Sequence, residues 1–230
     1  MFASWPRGLP SFVQVAPVQI PGRGHRISEN PWRKIEQLAD AIAQDLLPVF
    51  QEKPFAFFGH SMGATLGFEV ARRLAQRHEM MPKVLLISGR RAPHIPDDEP
   101  LTYNLPEKEF IHELQRLNGT PKELFESAEL MELMMPVLRA DFEAIQTYQY
   151  SPGPPLKSPF VVMGGTEDVR IRRESLEGWR MHTSASCPVT MFPGDHFFLR
   201  SHKEMFLKFI AQTLTDLWRA HGTTNGAPIQ

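Results

Sequence analysis

The chain has 230 residues, 42% of them hydrophobic, and its 25 basic and 26 acidic side chains give a formal net charge of −1. This length is enough to bury one substantial core, and the near-zero charge gives no indication of nucleic-acid binding. The single cysteine, Cys187, cannot form an intrachain disulfide, and no apolar stretch reaches the roughly 18 residues of a membrane span. We therefore expect one soluble, intracellular domain over residues 1–220, with a flexible tail over 221–230.

The first fifty residues predict a strand followed by a helix. Residues 12–20 alternate in the manner of a strand, and Pro21 then stops the pattern. The run Gly22-Arg23-Gly24 resembles the start of a dinucleotide-binding fingerprint, but the third glycine of that motif is missing. A helix is predicted from Asn30, with Pro31 at its first position. Its apolar face comprises Ile35, Leu38, Ala39, Ile42 and Leu46.

Residues 55–74 carry the most informative pattern in the chain. A short aromatic run predicts a buried strand, the run Gly59-His60-Ser61-Met62-Gly63 fits the G-x-S-x-G nucleophile elbow, and a helical pattern follows. In such an elbow the serine lies in a strained turn, and glycines on both sides avoid clashes. Ser61 is therefore the candidate nucleophile. The helix face predicted to lie on a sheet comprises Leu66, Val70 and Leu74.

The next part of the chain predicts a parallel sheet that is interrupted by helices. Residues 83–89 form another buried-strand pattern, so strands and helices alternate as in a sheet with helices on both faces. No strand is predicted from about residue 93 to 150, where one helix is expected around Phe110, a second from Thr120-Pro121 and a third from Pro136. A helical insertion at the sheet edge that carries active-site loops predicts a lid.

The predicted lid is rich in methionine. Flexible thioether side chains could line a groove for acyl chains of differing shape, although ordinary helix packing explains any one of them at least as well. The substrate-binding candidates in the lid are Met131, Met134, Met135 and Phe142.

Two more strands and a final helix complete the predicted fold. The strand patterns cover residues 159–165 and 188–193. The last helix is predicted to begin at Ser201, because Glu204 three residues later completes a capping box. Its apolar face comprises Phe206, Phe209, Ile210, Leu214 and Leu217.

Ser61, Asp168 and His196 occur in the nucleophile, acid, histidine order of α/β-hydrolases, each just after a predicted strand. A serine hydroxyl needs a base to become nucleophilic, and His196 would take its proton while Asp168 orients the imidazole. Glu167 and Asp195 compete with Asp168 for the acid position, and His60 is better explained by a secondary structural role. No spacing of metal ligands is present, so no metal is predicted.

Several runs together resemble one enzyme family across residues 6–217, namely the type II thioesterases of non-ribosomal peptide and polyketide synthases. The runs are Pro21-Gly22-Arg23, Gly59-His60-Ser61-Met62-Gly63, Leu138-Arg139-Ala140-Asp141-Phe142, Gly164-Gly165-Thr166-Glu167-Asp168 and Gly194-Asp195-His196-Phe197-Phe198. The resemblance implies an α/β-hydrolase fold, with a mostly parallel sheet, helices on both faces and a helical lid. It also implies hydrolysis of acyl groups from the phosphopantetheine arm of carrier proteins, through an acyl-Ser61 intermediate and a water activated by His196.

The resemblance also sets expectations for cofactors and partners. No cofactor is expected, because the phosphopantetheine is carried by the partner protein. The expected partners are acyl or peptidyl carrier domains of a synthase, with no nucleic acid and no membrane, and the protein is expected to be a cytoplasmic monomer that takes part in antibiotic biosynthesis.

One departure from the family pattern leaves alternatives open. Family members usually begin with a further strand and a His-Ala-Gly-Gly-like turn that gives one N–H to the oxyanion hole, and this sequence begins after that point. The backbone N–H of Met62 is then the expected donor. A misplaced start and a weakened or inactive member both explain the departure. The alternative functions are a small-molecule serine esterase or acyltransferase, and a catalytically impaired module that binds carrier proteins.

Overall fold

The structure is a computed structural model that describes residues 2–97, 99–117, 119–120 and 122–222. The described residues form two compact units, a larger one within residues 19–197 and a smaller one of residues 2–18 and 198–222. The expected single domain over 1–220 stays a prediction. Residues 223–230 of the expected tail lie outside the described residues.

A parallel four-stranded sheet forms the centre of the larger unit. Its strands are β1 (Phe57–His60), β2 (Leu85–Ser88), β3 (Phe160–Gly165) and β4 (Val189–Phe192), in the order β1-β2-β3-β4. Strands β2 and β3 are buried along their whole length, as expected for strands covered on both faces. The predicted α/β fold class is confirmed, with a strand in each of the four places predicted after residue 54.

Helices flank these strands in the order that the alternating pattern predicts. The helices before β2 are α1 (Ile35–Asp45), α2 (Leu47–Glu52) and α3 (Met62–His78). The helices between β2 and β4 are α4 (Glu107–Arg116), α5 (Lys122–Glu126), α6 (Ala128–Gln146) and α7 (Arg173–Glu177).

Helix α3 is buried on two sides. Phe68 lies in one hydrophobic cluster with residues of the sheet, and its ring centroid is 6.3 Å from that of Phe160. The predicted face of Leu66, Val70 and Leu74 belongs to a second cluster, together with α1. Phe57 of β1 packs against the same cluster, so this face lies between α1 and the edge of the sheet. The four-residue spacing identifies only one buried side of a helix. Because α3 is buried on two sides, it also has apolar residues, such as Phe68, outside that spacing.

The predicted strand over residues 12–20 is wrong, because residues 13–20 have no regular secondary structure. Phe12 and Val18 are 45% and 51% exposed. Without a buried face, alternation alone does not fix the register of a strand.

Helix α1 begins at Ile35 instead of Asn30. Lys34 before it has an extended backbone, with φ −134° and ψ 126°. Pro31 packs against the turn at Gly22, where an added β-carbon would lie 3.0 Å from the Pro31 Cβ. The proline therefore belongs to the turn and not to the first turn of the helix.

Pro136 does not open the third helix of the insertion. It lies inside α6, which begins eight residues earlier, after Ser127. The hydroxyl of Ser127 accepts a hydrogen bond from the Leu130 N–H at 3.3 Å and caps the helix. Pro136 is exposed, whereas Met131 and Met135 on the same helix are buried. Burial of the apolar face thus outweighs the backbone hydrogen bond that proline removes.

The predicted lid has a hydrophobic core of its own. Phe110 and Leu114 of α4 are buried against Met131 and Met135 of α6. Among the described residues between 93 and 150 there is no strand, which agrees with the all-helical prediction. We call residues 93–150 the helical insertion below.

The smaller unit contains a 3-10 helix, Phe2–Gly8, and the helices α8 (Phe198–Ser201) and α9 (Lys203–Gly222). Trp5 packs on Phe206, with ring centroids 5.8 Å apart. Ser201 ends α8 and does not cap α9, so the predicted start is wrong. The buried Phe198 and Leu199 form a separate helical turn ahead of α9. None of the helices in the described part of the chain is long and apolar enough to cross a membrane.

Candidate active site

Ser61 lies in the sharp turn between β1 and α3. Its backbone angles are φ 52° and ψ −118°, a conformation that non-glycine residues rarely adopt. The Ser61 N–H donates to the carbonyl oxygen of Ser88, at the end of β2, at 2.8 Å. This bond ties the strained turn to the neighbouring strand. The strand, strained serine and helix that the pentapeptide predicts are all present.

Asp168 lies just after β3, and both of its carboxylate oxygens are hydrogen-bonded. Oδ2 is 2.6 Å from Nδ1 of His196. Oδ1 accepts the backbone N–H groups of Arg170 at 3.0 Å and Ile171 at 3.1 Å. The side chain is only 1% exposed. These contacts fix the plane of the carboxylate and direct one oxygen at the imidazole.

The other two acid candidates have different positions. Asp195 accepts the backbone N–H of Phe197 at 2.8 Å and so caps its own turn. Glu167 is exposed. Gly165 explains why Asp168 reaches the histidine, because a β-carbon there would lie 2.3 Å from the carbonyl oxygen of Asp195. The absence of a side chain lets β3 approach the turn that carries His196.

His196 and Ser61 converge at the carboxyl end of β2. Ser61 is bonded to Ser88, and a β-carbon on the next residue, Gly89, would lie 3.3 Å from Cε1 of His196. Within the described part of the chain, no hydrogen bond joins the Ser61 hydroxyl to His196. Catalytic hydrogen bonds often form only when substrate binds, so we expect a side-chain rotation to close this gap.

The backbone N–H of Met62 is well placed to face an anion. Met62 is the first residue of the 17-residue helix α3, whose N-terminus carries the positive end of the helix dipole. The Ser61 N–H is already bonded to Ser88, whereas no acceptor among the described residues is bonded to the Met62 N–H. Of these two N–H groups, Met62 is the one available to a substrate oxygen.

Ion pairs link the helical insertion to the loops that follow β2 and β3. Nε of Arg170 donates to Glu99 at 2.6 Å, and Arg91 pairs with Asp97 at 2.8 Å. Burial lowers the pKa of the neighbouring Arg90 to about 10, so this side chain keeps its positive charge at neutral pH. The loop that holds Asp168 is therefore anchored to the insertion by charge.

The substrate-binding candidates lie mainly in the core of the insertion. Met131 and Met135 are buried there, and the Phe142 ring meets that of Phe110 edge-on at 5.2 Å. Met134 is half-buried. Packing within the insertion accounts for Met131, Met135 and Phe142, so their role toward substrate stays a prediction.

Sequence reasoning missed Ser88 and Gly89, which lie beneath the candidate triad. Gly89 has a positive φ of 60°, and a β-carbon there would lie 2.7 Å from Cε1 of His60. The available signal was a serine and a glycine directly at the end of a buried strand. The other candidate residues also follow the carboxyl ends of strands, at the same edge of the sheet.

Comparison with known proteins agrees with this geometry. The profile of the thioesterase domain matches residues 1–214. The chain belongs to the thioesterase family. The RedJ thioesterase of the prodiginine pathway in Streptomyces coelicolor is 35% identical to this thioesterase, with a TM-score of 0.85 over 92% of this chain and 79% of RedJ. YbtT, a type II thioesterase of the yersiniabactin pathway, is 33% identical, with a TM-score of 0.79 over 94% of this chain and 89% of YbtT. The predicted family resemblance is confirmed.

A third relative is named as a dehydrogenase, an enzyme class that commonly binds a dinucleotide. Linear gramicidin dehydrogenase LgrE of Brevibacillus parabrevis is 43% identical to this thioesterase over 93% of this chain and 82% of LgrE. A dinucleotide-binding turn would have to lie between a strand and a helix. In this thioesterase Gly22-Arg23-Gly24 instead leads into a short 3-10 helix, Gly24–Arg26, with no strand before it among the described residues. The local structure therefore does not support dinucleotide binding at these glycines.

Proposed function

We propose that this thioesterase hydrolyses acyl groups from the phosphopantetheine arm of carrier proteins, through an acyl-Ser61 intermediate. The observation that carries the proposal is the Asp168–His196 pair, at 2.6 Å, beside a serine in a strained elbow. Support for the carrier-bound substrate comes from the relatives, since the YbtT structure is that of a type II thioesterase from a peptide and polyketide pathway.

Ser61 acts as the nucleophile in the first half of the proposed reaction. Its hydroxyl oxygen attacks the thioester carbonyl while Nε2 of His196 takes the hydroxyl proton. Asp168 holds Nδ1 and stabilises the imidazolium that forms. The Met62 N–H donates to the developing oxyanion. The C–S bond then breaks, and His196 returns the proton to the departing pantetheine sulfur.

Water completes the reaction in the second half. His196 takes a proton from a water molecule, whose oxygen attacks the acyl-Ser61 ester. The ester bond breaks, Ser61 regains its proton from His196, and the free acid leaves. No cofactor takes part, since the phosphopantetheine belongs to the carrier protein.

The helical insertion is proposed to be a lid over this site, and the protein is proposed to act as a cytoplasmic monomer. The lid proposal is supported by the hydrophobic cluster that α4 and the first half of α6 form apart from the sheet, and by the ion pair through which Glu99 reaches the loop of Arg170. A segment with a cluster of its own can open locally, whereas Ala144 near the end of α6 stays in the cluster of α1 and α3.

The test compares three substrates with purified protein: an acyl carrier protein thioester, the matching acyl thioester of a pantetheine fragment, and a simple ester of the same acid. We expect the highest kcat/KM with the carrier protein. A clear preference for the simple ester would contradict the proposal and favour a small-molecule esterase. Fluorophosphonate labelling, with Ser61→Ala as the unlabelled control, separates an active enzyme from a binding module, because a module with an inert Ser61 would not label.

A further inference from the structure

His60, the residue before the nucleophile, lies against the imidazole of His196. The two ring centroids are 4.9 Å apart, with the planes inclined by 48°. The His60 Nδ1 lies 3.0 Å from the hydroxyl of Ser88, which is completely buried. His60 is therefore bonded to the last residue of β2 through Nδ1, and its ring contacts the ring of the candidate base, His196.

Gly89 lets both imidazoles reach this position. A β-carbon on Gly89 would lie 2.7 Å from Cε1 of His60 and 3.3 Å from Cε1 of His196. Both rings thus lie over the same residue at the end of β2. The ring of Phe197 covers a further side, 5.5 Å from His60 and 5.1 Å from His196. With Asp168 at Nδ1, these contacts leave the His196 imidazole little room to tilt.

We propose that His60 is a positioning residue for His196 and is itself oriented by the Ser88 hydroxyl. This proposal rests on the proposed function, since it assigns His60 a part in the same reaction. The Ser88 hydroxyl and Nδ1 of His60 share a hydrogen bond of 3.0 Å, which fixes the plane of the His60 ring.

The choice of histidine follows from two demands at this position. The position requires a flat ring that fits beside His196 over Gly89, and it requires a hydrogen-bond partner for the buried Ser88 hydroxyl. Phenylalanine meets only the first demand and asparagine only the second. Replacing both His60 and Ser88 by apolar residues removes the second demand altogether.

The experiment uses His60→Ala, His60→Phe and the double variant His60→Phe/Ser88→Ala, with His78→Ala as the matched control. His78 ends α3, is exposed and lies outside the site. We expect His60→Ala to lower kcat about 10- to 100-fold with little change in KM, because a small misplacement of a catalytic group has effects of this size. We expect the double variant to be more active than His60→Phe alone, and His78→Ala to match the wild type.

Two further readouts separate positioning from folding and from substrate choice. The low-field proton NMR signal of the Asp168–His196 hydrogen bond is expected to broaden or shift in His60→Ala, while thermal unfolding confirms that the variant is folded. The rate of fluorophosphonate labelling of Ser61 is expected to fall in parallel with kcat. Labelling needs no carrier protein, so the positioning role is tested even if the proposed substrate is wrong. Unchanged labelling, kcat and low-field signal in folded His60→Ala would overturn the proposal.

Discussion

Gly59 and Gly63 are in such close contact that a β-carbon on Gly59 would lie 2.1 Å from the Gly63 carbonyl oxygen. The contact is with backbone, so no side-chain movement can relieve it. We expect Gly59→Ala to displace the elbow and to reduce fluorophosphonate labelling of Ser61 at least a hundredfold, because misplacing a catalytic group by about an ångström costs this much. Gly63→Ala is the control within the same motif, because a β-carbon there would meet nothing within 4 Å. Equal labelling of both variants would contradict this account of the elbow.

Asp168 is expected to be the acid that supports His196. Asp168→Asn keeps the shape of the side chain but removes its charge, and we expect kcat to fall about ten-thousand-fold, as for the same change in serine proteases. The measurement is steady-state hydrolysis of an acyl carrier thioester. Glu167→Gln is the matched control and is expected to retain activity, because Glu167 is exposed. A large loss in Glu167→Gln with little loss in Asp168→Asn would reverse the assignment.

Arg23 and Asp141 form an ion pair across 118 positions of sequence, with two hydrogen bonds of 2.7 and 3.0 Å. Burial raises the pKa of Asp141 even though Arg23 opposes the shift, so the carboxylate depends on its partner. We expect Arg23→Met to lower the free energy of unfolding by about 2 kcal/mol, because it leaves the half-buried Asp141 carboxylate without the two hydrogen bonds that hold it. Urea unfolding measures the loss.

A second pair on the same helix provides the control for that prediction. Arg33 binds Glu143 at 2.6 Å, but the Arg33 side chain is 52% exposed compared with 30% for Arg23. We expect Arg33→Met to cost less than about 1 kcal/mol, because the half-exposed Arg33 guanidinium exchanges its contact with Glu143 for water at little cost. Similar losses in the two variants would mean that exposure of the arginine does not determine the strength of the Arg23–Asp141 pair.

His182 is expected to make the fold sensitive to acid. Burial, and next the neighbouring His94, lower the pKa of His182 to about 4. Because the pKa in the unfolded chain is about 6.5, the unfolded state binds the extra proton between these values, and stability is lost as the pH falls from 6.5 toward 4. We expect this residue to remove about 2 kcal/mol of unfolding free energy between pH 7 and pH 4.5.

The pH prediction is tested with His182→Phe, which retains a ring beside Phe68 and Trp179. Urea unfolding at pH 7 and pH 4.5 should show a smaller loss of stability in this variant than in the wild type. Identical losses would show that other groups cause the acid sensitivity.

Local patterns predicted the part of the fold that places Ser61, Asp168 and His196. The strands before these residues are short and rich in apolar side chains, fully buried before Asp168 and partly buried before Ser61 and His196, and a turn follows each of them. Their position could therefore be read without knowledge of contacts. The start of α1 and the place of Pro136 could not be read in this way. The start of α1 depends on the contact between Pro31 and Gly22. The place of Pro136 inside α6 depends on burial of the apolar face of that helix. The support of His196 by His60 is a long-range contact, and a pattern along the chain does not reveal it.

Within the described residues, the buried cluster of α4 and the first half of α6 does not share residues with the clusters around the sheet, whereas Ala144 near the end of α6 belongs to the cluster of α1 and α3. Mutations around Phe110 and Met131 can therefore accumulate without disturbing the frame that holds the nucleophile. In a lineage of such enzymes, the interior of this cluster can diverge while the chemistry stays the same. Exchanging only its buried residues, Phe110, Leu114, Met131 and Met135, between relatives should accordingly leave turnover intact.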